Sequence, residues 1–255
     1  MMKRKTIYAA ALLLILVLPV CLLAEDFTSL FNEIHAKAIA GDAEAQHDLG
    51  VMYSNGLGVP QDYKEAVKWY TKAAGQGHAK AQFYLGVMYF KGDGVPKDYK
   101  EALRWYTRAA EQGHVEAQFS LGMMYFKGDG VPKDSKEAVR WYTRAAEQGL
   151  AGAQFNLGVM YFNGDGVSSD FSEAIKWISK AAEQGLAGAQ QNLGLIYAKG
   201  YGVTKDNVQA YKWLDLAAVQ GAGKAGELRD IVAKEMSPDQ VAEAQGQSRA
   251  FRIRK

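Results

Sequence analysis

Three features of this chain are of the sort that carry chemistry: histidines at a repeated spacing, an acidic glycine-rich loop, and a single cysteine. His78 and His114 stand in the same slot, 36 residues apart. Two imidazoles hold a transition metal only when acids or cysteines join them at suitable geometry. Leu150 and Leu186 take the slot further on, and with His35 and His47 these histidines read as surface loop residues. The stretch GDGVPKD (92–98) resembles an acidic calcium loop. It lacks the alternating acids and the terminal bidentate Glu that such a loop needs, so it reads as a turn followed by a helix cap. Its G-x-G has no further glycine and no preceding strand, which excludes a dinucleotide fingerprint. No G-x-S-x-G occurs, and the only cysteine, Cys21, lies in an apolar leader. The sequence therefore predicts no catalytic residue, no metal site, no cofactor and no enzymatic activity.

The elements around these residues are repeats. Leu-Gly pairs fall at 49–50, 85–86, 121–122, 157–158 and 193–194, always 36 apart. The five tryptophans, Trp69, Trp105, Trp141, Trp177 and Trp213, keep the same period. So do Tyr53, Tyr89, Tyr125, Tyr161 and Tyr197. Three columns in one register mark a repeat array.

Each unit reads as two helices. Ala81, Leu85, Met88 and Tyr89 share one helical face. KGDGVPKD breaks the pattern, and Asp98 with Glu101 then predicts an N-cap and a capping box. The device recurs at Asp62/Glu65, Asp134/Glu137, Asp170/Glu173 and, with glutamine, Asp206/Gln209. Ala102, Trp105, Tyr106 and Ala109 make the inner face of the second helix, and Gly113 ends it in the left-handed conformation. A mid-helix glycine such as Gly86 costs about 1 kcal/mol relative to alanine, so a close helix–helix approach is expected there. One hairpin cannot bury its own apolar face, whereas a stack buries a continuous core.

The unit AQ-aromatic-x-LG-x-x-Y-x-x-G-x-G-V-x-x-D…EA-x-x-W…AAEQG resembles the Sel-one-like repeat family, a relative of tetratricopeptide repeats. The resemblance covers residues 41–220. It implies an all-α, right-handed α/α superhelical solenoid of helix-turn-helix repeats with a 36-residue period. It also implies a groove lined mainly by the first helix of each unit, and service as an adaptor in protein complexes. Exported bacterial relatives are associated with envelope functions and host interaction. The β-lactam binding or hydrolysis described for cysteine-rich relatives is not carried over, because the cysteine pair in each repeat is missing here.

The ends depart from the repeat. Residues 25–40 read as an N-terminal capping helix and 221–255 as degenerate capping helices, the last with Ser237 as N-cap, Pro238 at the first helical position and Gln240 completing a capping box. Residues 1–24 have the layout of a secretory signal peptide: a basic start, an apolar run and an acidic, polar continuation. Cleavage is expected after Ala24, giving a periplasmic or secreted protein. An uncleaved leader would be a membrane anchor. Cleavage removes Lys3, Arg4 and Lys5 and no acid, which takes the formal net charge from +2 to −1. A near-neutral, cysteine-free chain has no bulk drive toward nucleic acid or anionic lipid.

By resemblance to tetratricopeptide arrays, residues rotated off the Tyr89 face line the groove. These are Val87, Phe90 and Lys91, then Met123, Phe126 and Lys127, then Val159, Phe162 and Asn163. A neighbouring column, Phe83, Phe119 and Phe155, is read as core. The expected ligand is a protein or peptide bound by a non-enzymatic, monomeric module. Modulation of a cell-wall enzyme and interaction with a host are the alternatives.

Overall fold

The computed structural model describes residues 20–253, and the leader reading falls for residues 1–19 outside the described residues. Among the described residues there are thirteen helices and no strand. None of these helices is long and apolar enough to cross a membrane. The chain divides into two compact units, one ending at Gln112 and one beginning at Gly113. The first holds α1 (Val20–Ile39), α2 (Ala43–Asn55), α3 (Tyr63–Gly75), α4 (Ala79–Lys91) and α5 (Tyr99–Glu111). The second holds α6 (Val115–Lys127), α7 (Ser135–Glu147), α8 (Ala151–Asn163), α9 (Phe171–Glu183), α10 (Ala187–Lys199), α11 (Asn207–Val219), α12 (Ala225–Ala233) and α13 (Pro238–Ile253). Helices α2 to α11 are 13 residues each and form five helix-turn-helix repeats, the all-α repeat fold that the 36-residue period predicts.

The Leu-Gly column explains how the two helices of a repeat meet. A Cβ on Gly86 would stand 2.6 Å from the Tyr106 ring, and one on Gly122 would stand 2.5 Å from the Tyr142 ring. Glycine is needed there because the neighbouring helix presses a large side chain onto the bare backbone. The later copies put Ile178 and Leu214 in the tyrosine's place, against Gly158 and Gly194. The second glycine of G-x-G serves another contact: a Cβ on Gly94 would meet the Tyr63 carbonyl at 2.4 Å, so this loop rests on the start of the preceding second helix.

The expected N-caps form. The Asp98 carboxylate accepts from the Lys100 and Glu101 backbone N–H groups at 2.8 and 3.1 Å, and Asp62, Asp134 and Asp170 do the same in their copies. The expected capping box does not. The Asp98 backbone N–H donates instead to the Tyr89 carbonyl at 2.9 Å, and every copy repeats that bond from its own tyrosine. The loop folds back far enough to satisfy the cap donor with main chain, so the glutamate turns outward. Glu65, Glu101, Glu137 and Glu173 pair with the cation three residues on. Among the described residues only the last helix carries a full box, in which Ser237 N–H donates to Gln240 Oε1 and Gln240 N–H to Ser237 Oγ.

A glutamine pair, buried at its first-helix member, ties each repeat together. Gln112 Nε2 donates to Gln82 Oε1 at 2.7 Å, and Gln82 Nε2 donates to the Ala74 carbonyl at 3.1 Å. The same link joins Gln184 to Gln154 and Gln154 to Ala146. The partner residues lie 30 and 8 positions apart, so the pair closes a repeat on itself and anchors it to the helix before. A buried amide is tolerated because both its ends are matched. The tryptophans are buried except Trp141, which is half-buried, and each carries a cation over its ring, such as Lys72 at 3.9 Å from the Trp69 centroid. The Lys and Arg that flank each tryptophan are thus committed to Trp and Glu neighbours.

Candidate functional site: a face of first helices

Helices α6, α8 and α10 are the first helices of three successive repeats. Residues three and four apart on a helix share a face. Met123, Phe126 and Lys127 therefore point together from α6, and Val159, Phe162 and Asn163 from α8. They line two adjoining hollows. The first, of about 370 Å³, is walled by Met123, Phe126, Lys127, Phe155, Asn156, Val159, Asn163 and Asn192, with Tyr142 at its floor. The second, of about 290 Å³, is walled by Val159, Phe162, Asn163, Asn192, Leu195 and Tyr201, with Ile178 below. Val159, Asn163 and Asn192 belong to both. The three remaining predicted residues lie in the first unit, on one face of α4: Val87 and Phe90 half-buried, Lys91 exposed.

Local sequence decides how open each aromatic is. The Phe90 ring lies 5.1 Å from Tyr99, and Phe162 lies 5.1 Å from Phe171, the first residue of the following helix in each copy. In the third copy that first residue is Ser135, too small to cover a ring. Phe126 is accordingly left 36% exposed, with Lys133 Nζ 5.5 Å from its centroid. The column read as core is half-buried: Phe83 and Phe119 stand 5.7 Å from Tyr106 and Tyr142, while Phe155 also lines the first hollow. One aromatic column therefore serves both packing and surface.

The polar groups of the face are the amides of Asn156, Asn163 and Asn192, with Lys127 and Asp165 at the first hollow. Asn163 Nδ2 donates to Asp165 Oδ2 at 3.2 Å. Burial pushes the Tyr142 phenol up to about 12, with a smaller opposing effect from its hydrogen bond to Asn156, so it stays neutral in the physiological range. Asn192 stands between the hollows with no side-chain partner among the described residues. No histidine, serine or cysteine lines either hollow. The arrangement offers apolar volume and amide hydrogen bonds, which is chemistry for holding a ligand. Asn156 and Asn192 were not legible as site residues, because their column runs Asp48, Tyr84, Ser120, Asn156, Asn192 and holds asparagine in the last two copies alone.

The Sel1 repeat family matches five consecutive units, residues 43–78, 79–114, 115–150, 151–186 and 187–221. Among solved structures, the chain is similar to a Sel1 repeat protein from Oxalobacter formigenes, with 34% identity and a TM-score of 0.76 over 88% of this chain and 92% of that one. It is also similar to c5321, a protective antigen present in uropathogenic Escherichia coli strains and displaying an SLR fold. That likeness has 34% identity and a TM-score of 0.59, over 88% of this chain and 56% of the antigen. No curated protein matches the sequence.

Proposed function

The chain belongs to the Sel1 repeat family, and from that premise we propose that it is an exported, non-enzymatic binding protein that captures a segment of a partner protein on the α6–α8–α10 face. Sel1 repeat solenoids are in general protein-interaction modules. The observation that carries the reading is the pair of apolar hollows on successive first helices, meeting at the unpartnered amide of Asn192. Apolar side chains of a bound segment fill the hollows, and its main chain supplies the hydrogen bonds that Asn192 lacks. The walls are helices already held by caps and glutamine pairs, so binding orders the ligand and not the receptor, which lowers the entropic cost. Lys127 and Asp165 both line the first hollow, so its edge is mixed in charge and suits a segment with a polar or charged residue beside its apolar anchors.

The protein acts as a monomer in the periplasm or outside the cell once residues 1–24 are removed. The basic, apolar and then acidic order of the leader supports export, and so does the likeness to c5321, a protective antigen, since an antigen must be reached by the host. That same likeness favours a host factor as second reading for the partner, ahead of a cell-wall enzyme. In a capture experiment, the native chain is set beside a Phe126→Ala, Phe162→Ala, Asn192→Ala variant of unchanged helicity in an envelope extract and in host-cell lysate. A protein held by the native chain and lost by the variant supports the reading. Equal retention by both would move binding off this face, and a mature N-terminus other than Glu25 by mass spectrometry would refute the cleavage.

A further inference from the structure

The first repeat contains a cluster that the binding face does not use. Glu44 and His47 lie on α2, and His78 caps the start of α4. One oxygen or ring nitrogen from each of the three lies within 4.8 Å of the others. Glu44 Oε2 is 3.0 Å from His78 Nε2, and the His47 and His78 ring centroids are 4.9 Å apart. From this geometry we propose that Glu44, His47 and His78 bind one divalent transition-metal ion of the zinc class.

His47 carries the argument. Its residue exposure is 7%, and its Nε2 is a buried nitrogen without a hydrogen-bond partner among the described residues. An orphaned polar atom in such a place is rare and calls for an explanation. Its other nitrogen, Nδ1, lies 3.2 Å from Asp48 Oδ1, where a carboxylate keeps the proton on Nδ1 and leaves the Nε2 lone pair available. This is the arrangement by which an outer carboxylate orients a ligating imidazole. Tyr70 and Tyr84, with ring centroids 5.9 and 5.7 Å from that of His47, wall the site with aromatic surface. Two imidazoles and a carboxylate suit zinc and leave a four-coordinate ion one open position.

The sequence places these ligand types together only here. The slots of Glu44, His47 and His78 hold Lys80, Phe83 and His114 one period on, then Glu116, Phe119 and Leu150. Loading the metal has a definable cost at His78. Its Nδ1 accepts from the Ala81 N–H at 3.2 Å, so the proton now sits on Nε2 and points at Glu44. Metal on Nε2 sends that proton to solvent, protonates Nδ1 and gives up one cap hydrogen bond. Three metal–ligand bonds and the relief of the orphaned His47 nitrogen oppose that single loss.

The test uses untagged, chelator-treated full-length protein titrated with zinc chloride by calorimetry, beside His47→Phe and Glu44→Gln. Phenylalanine is what the next three copies carry in the His47 slot, so packing is kept, and Glu44 is exposed, so its substitution leaves the fold intact even if His47→Phe fails to fold. One zinc per chain is expected, with a rise in melting temperature and at least tenfold weaker binding in each variant. Cobalt(II) in place of zinc should give a visible absorption band that Glu44→Gln changes. No saturable zinc binding by the native chain, or binding by both variants equal to native, would overturn the proposal.

Discussion

Gly122 is helical, and helix propensity alone would make Gly122→Ala stabilising by about 1 kcal/mol. The Tyr142 ring decides otherwise, because the added Cβ would stand 2.5 Å from it and the ring is buried with nowhere to go. Overpacking of this kind costs about 1–3 kcal/mol, so a net loss is expected. Gly246 is the control: it is also helical, and a Cβ there meets nothing within 4 Å. Gly246→Ala should stabilise by about 0.5–1 kcal/mol. Urea unfolding of the two variants should move the midpoint in opposite directions, and a stabilised Gly122→Ala would contradict the packing argument. The need for close approach was legible in the sequence, because glycine recurs mid-helix where it is costly. What approaches it was not, since Tyr, Ile and Leu all do so in different copies. The same holds for His47, which reads as a surface loop residue in the sequence and is instead buried on α2. Paired by slot, the histidines of note are His78 and His114, whereas the fold brings together His47 and His78, which belong to different slots and lie 31 apart in the chain. Spacing along the chain does not report which side of a helix meets the next repeat.

At the scale of the element, the caps separate what a motif says from what the loop allows. Asp98 and Glu101 satisfy the capping-box pattern, yet the Asp98 N–H is already taken by the Tyr89 carbonyl. Asp98→Ala should therefore cost about 1 kcal/mol, the worth of a side-chain cap. Glu101→Ala should change stability by less than about 0.5 kcal/mol, as expected for a half-buried residue whose partner is the exposed cation Arg104. Denaturant titration of the two single variants separates the cases, and comparable losses would mean that Glu101 does reach the cap. At Gln240 the reciprocal bonds exist, and the motif means what it says. The difference lies in the segment before the cap. Where a G-x-G loop folds back, main chain fills the donor's need. Where the chain simply leaves α12, the side chain must. The glutamine pairs were missed at this scale as well. AQ and EQG recur in every copy, but pairing Gln82 with Gln112 requires knowing that the end of a second helix returns beside the start of its own first helix.

For the molecule as a whole, the consequence of repetition is that stability is local. A repeat touches its neighbours along the chain, so damage at one end should fade with distance. The second unit ends with α13 laid against α11, where Ala244 is buried beside Tyr211 and Leu214. There the half-buried Asp215 accepts from Ser248 Oγ at 2.6 Å and from Arg229 Nη1 at 3.0 Å. A chain stopped after Met236 loses the Ser248 bond and bares Tyr211 and Leu214, while Arg229 still pairs with Asp215. The last repeat should then open without melting those before it. Hydrogen exchange followed by mass spectrometry should show protection falling in α11 and α12, a smaller fall in α10, and no change in α6 to α8. That outcome also bears on the binding face. Its first hollow is built on α6 and α8 with Asn192 alone from α10 and should largely survive, and its second, built on α8 and α10 together, should loosen. Uniform loss of protection from α6 to α12 would mean that the second unit folds as one cooperative block, and that the two hollows cannot be tuned separately.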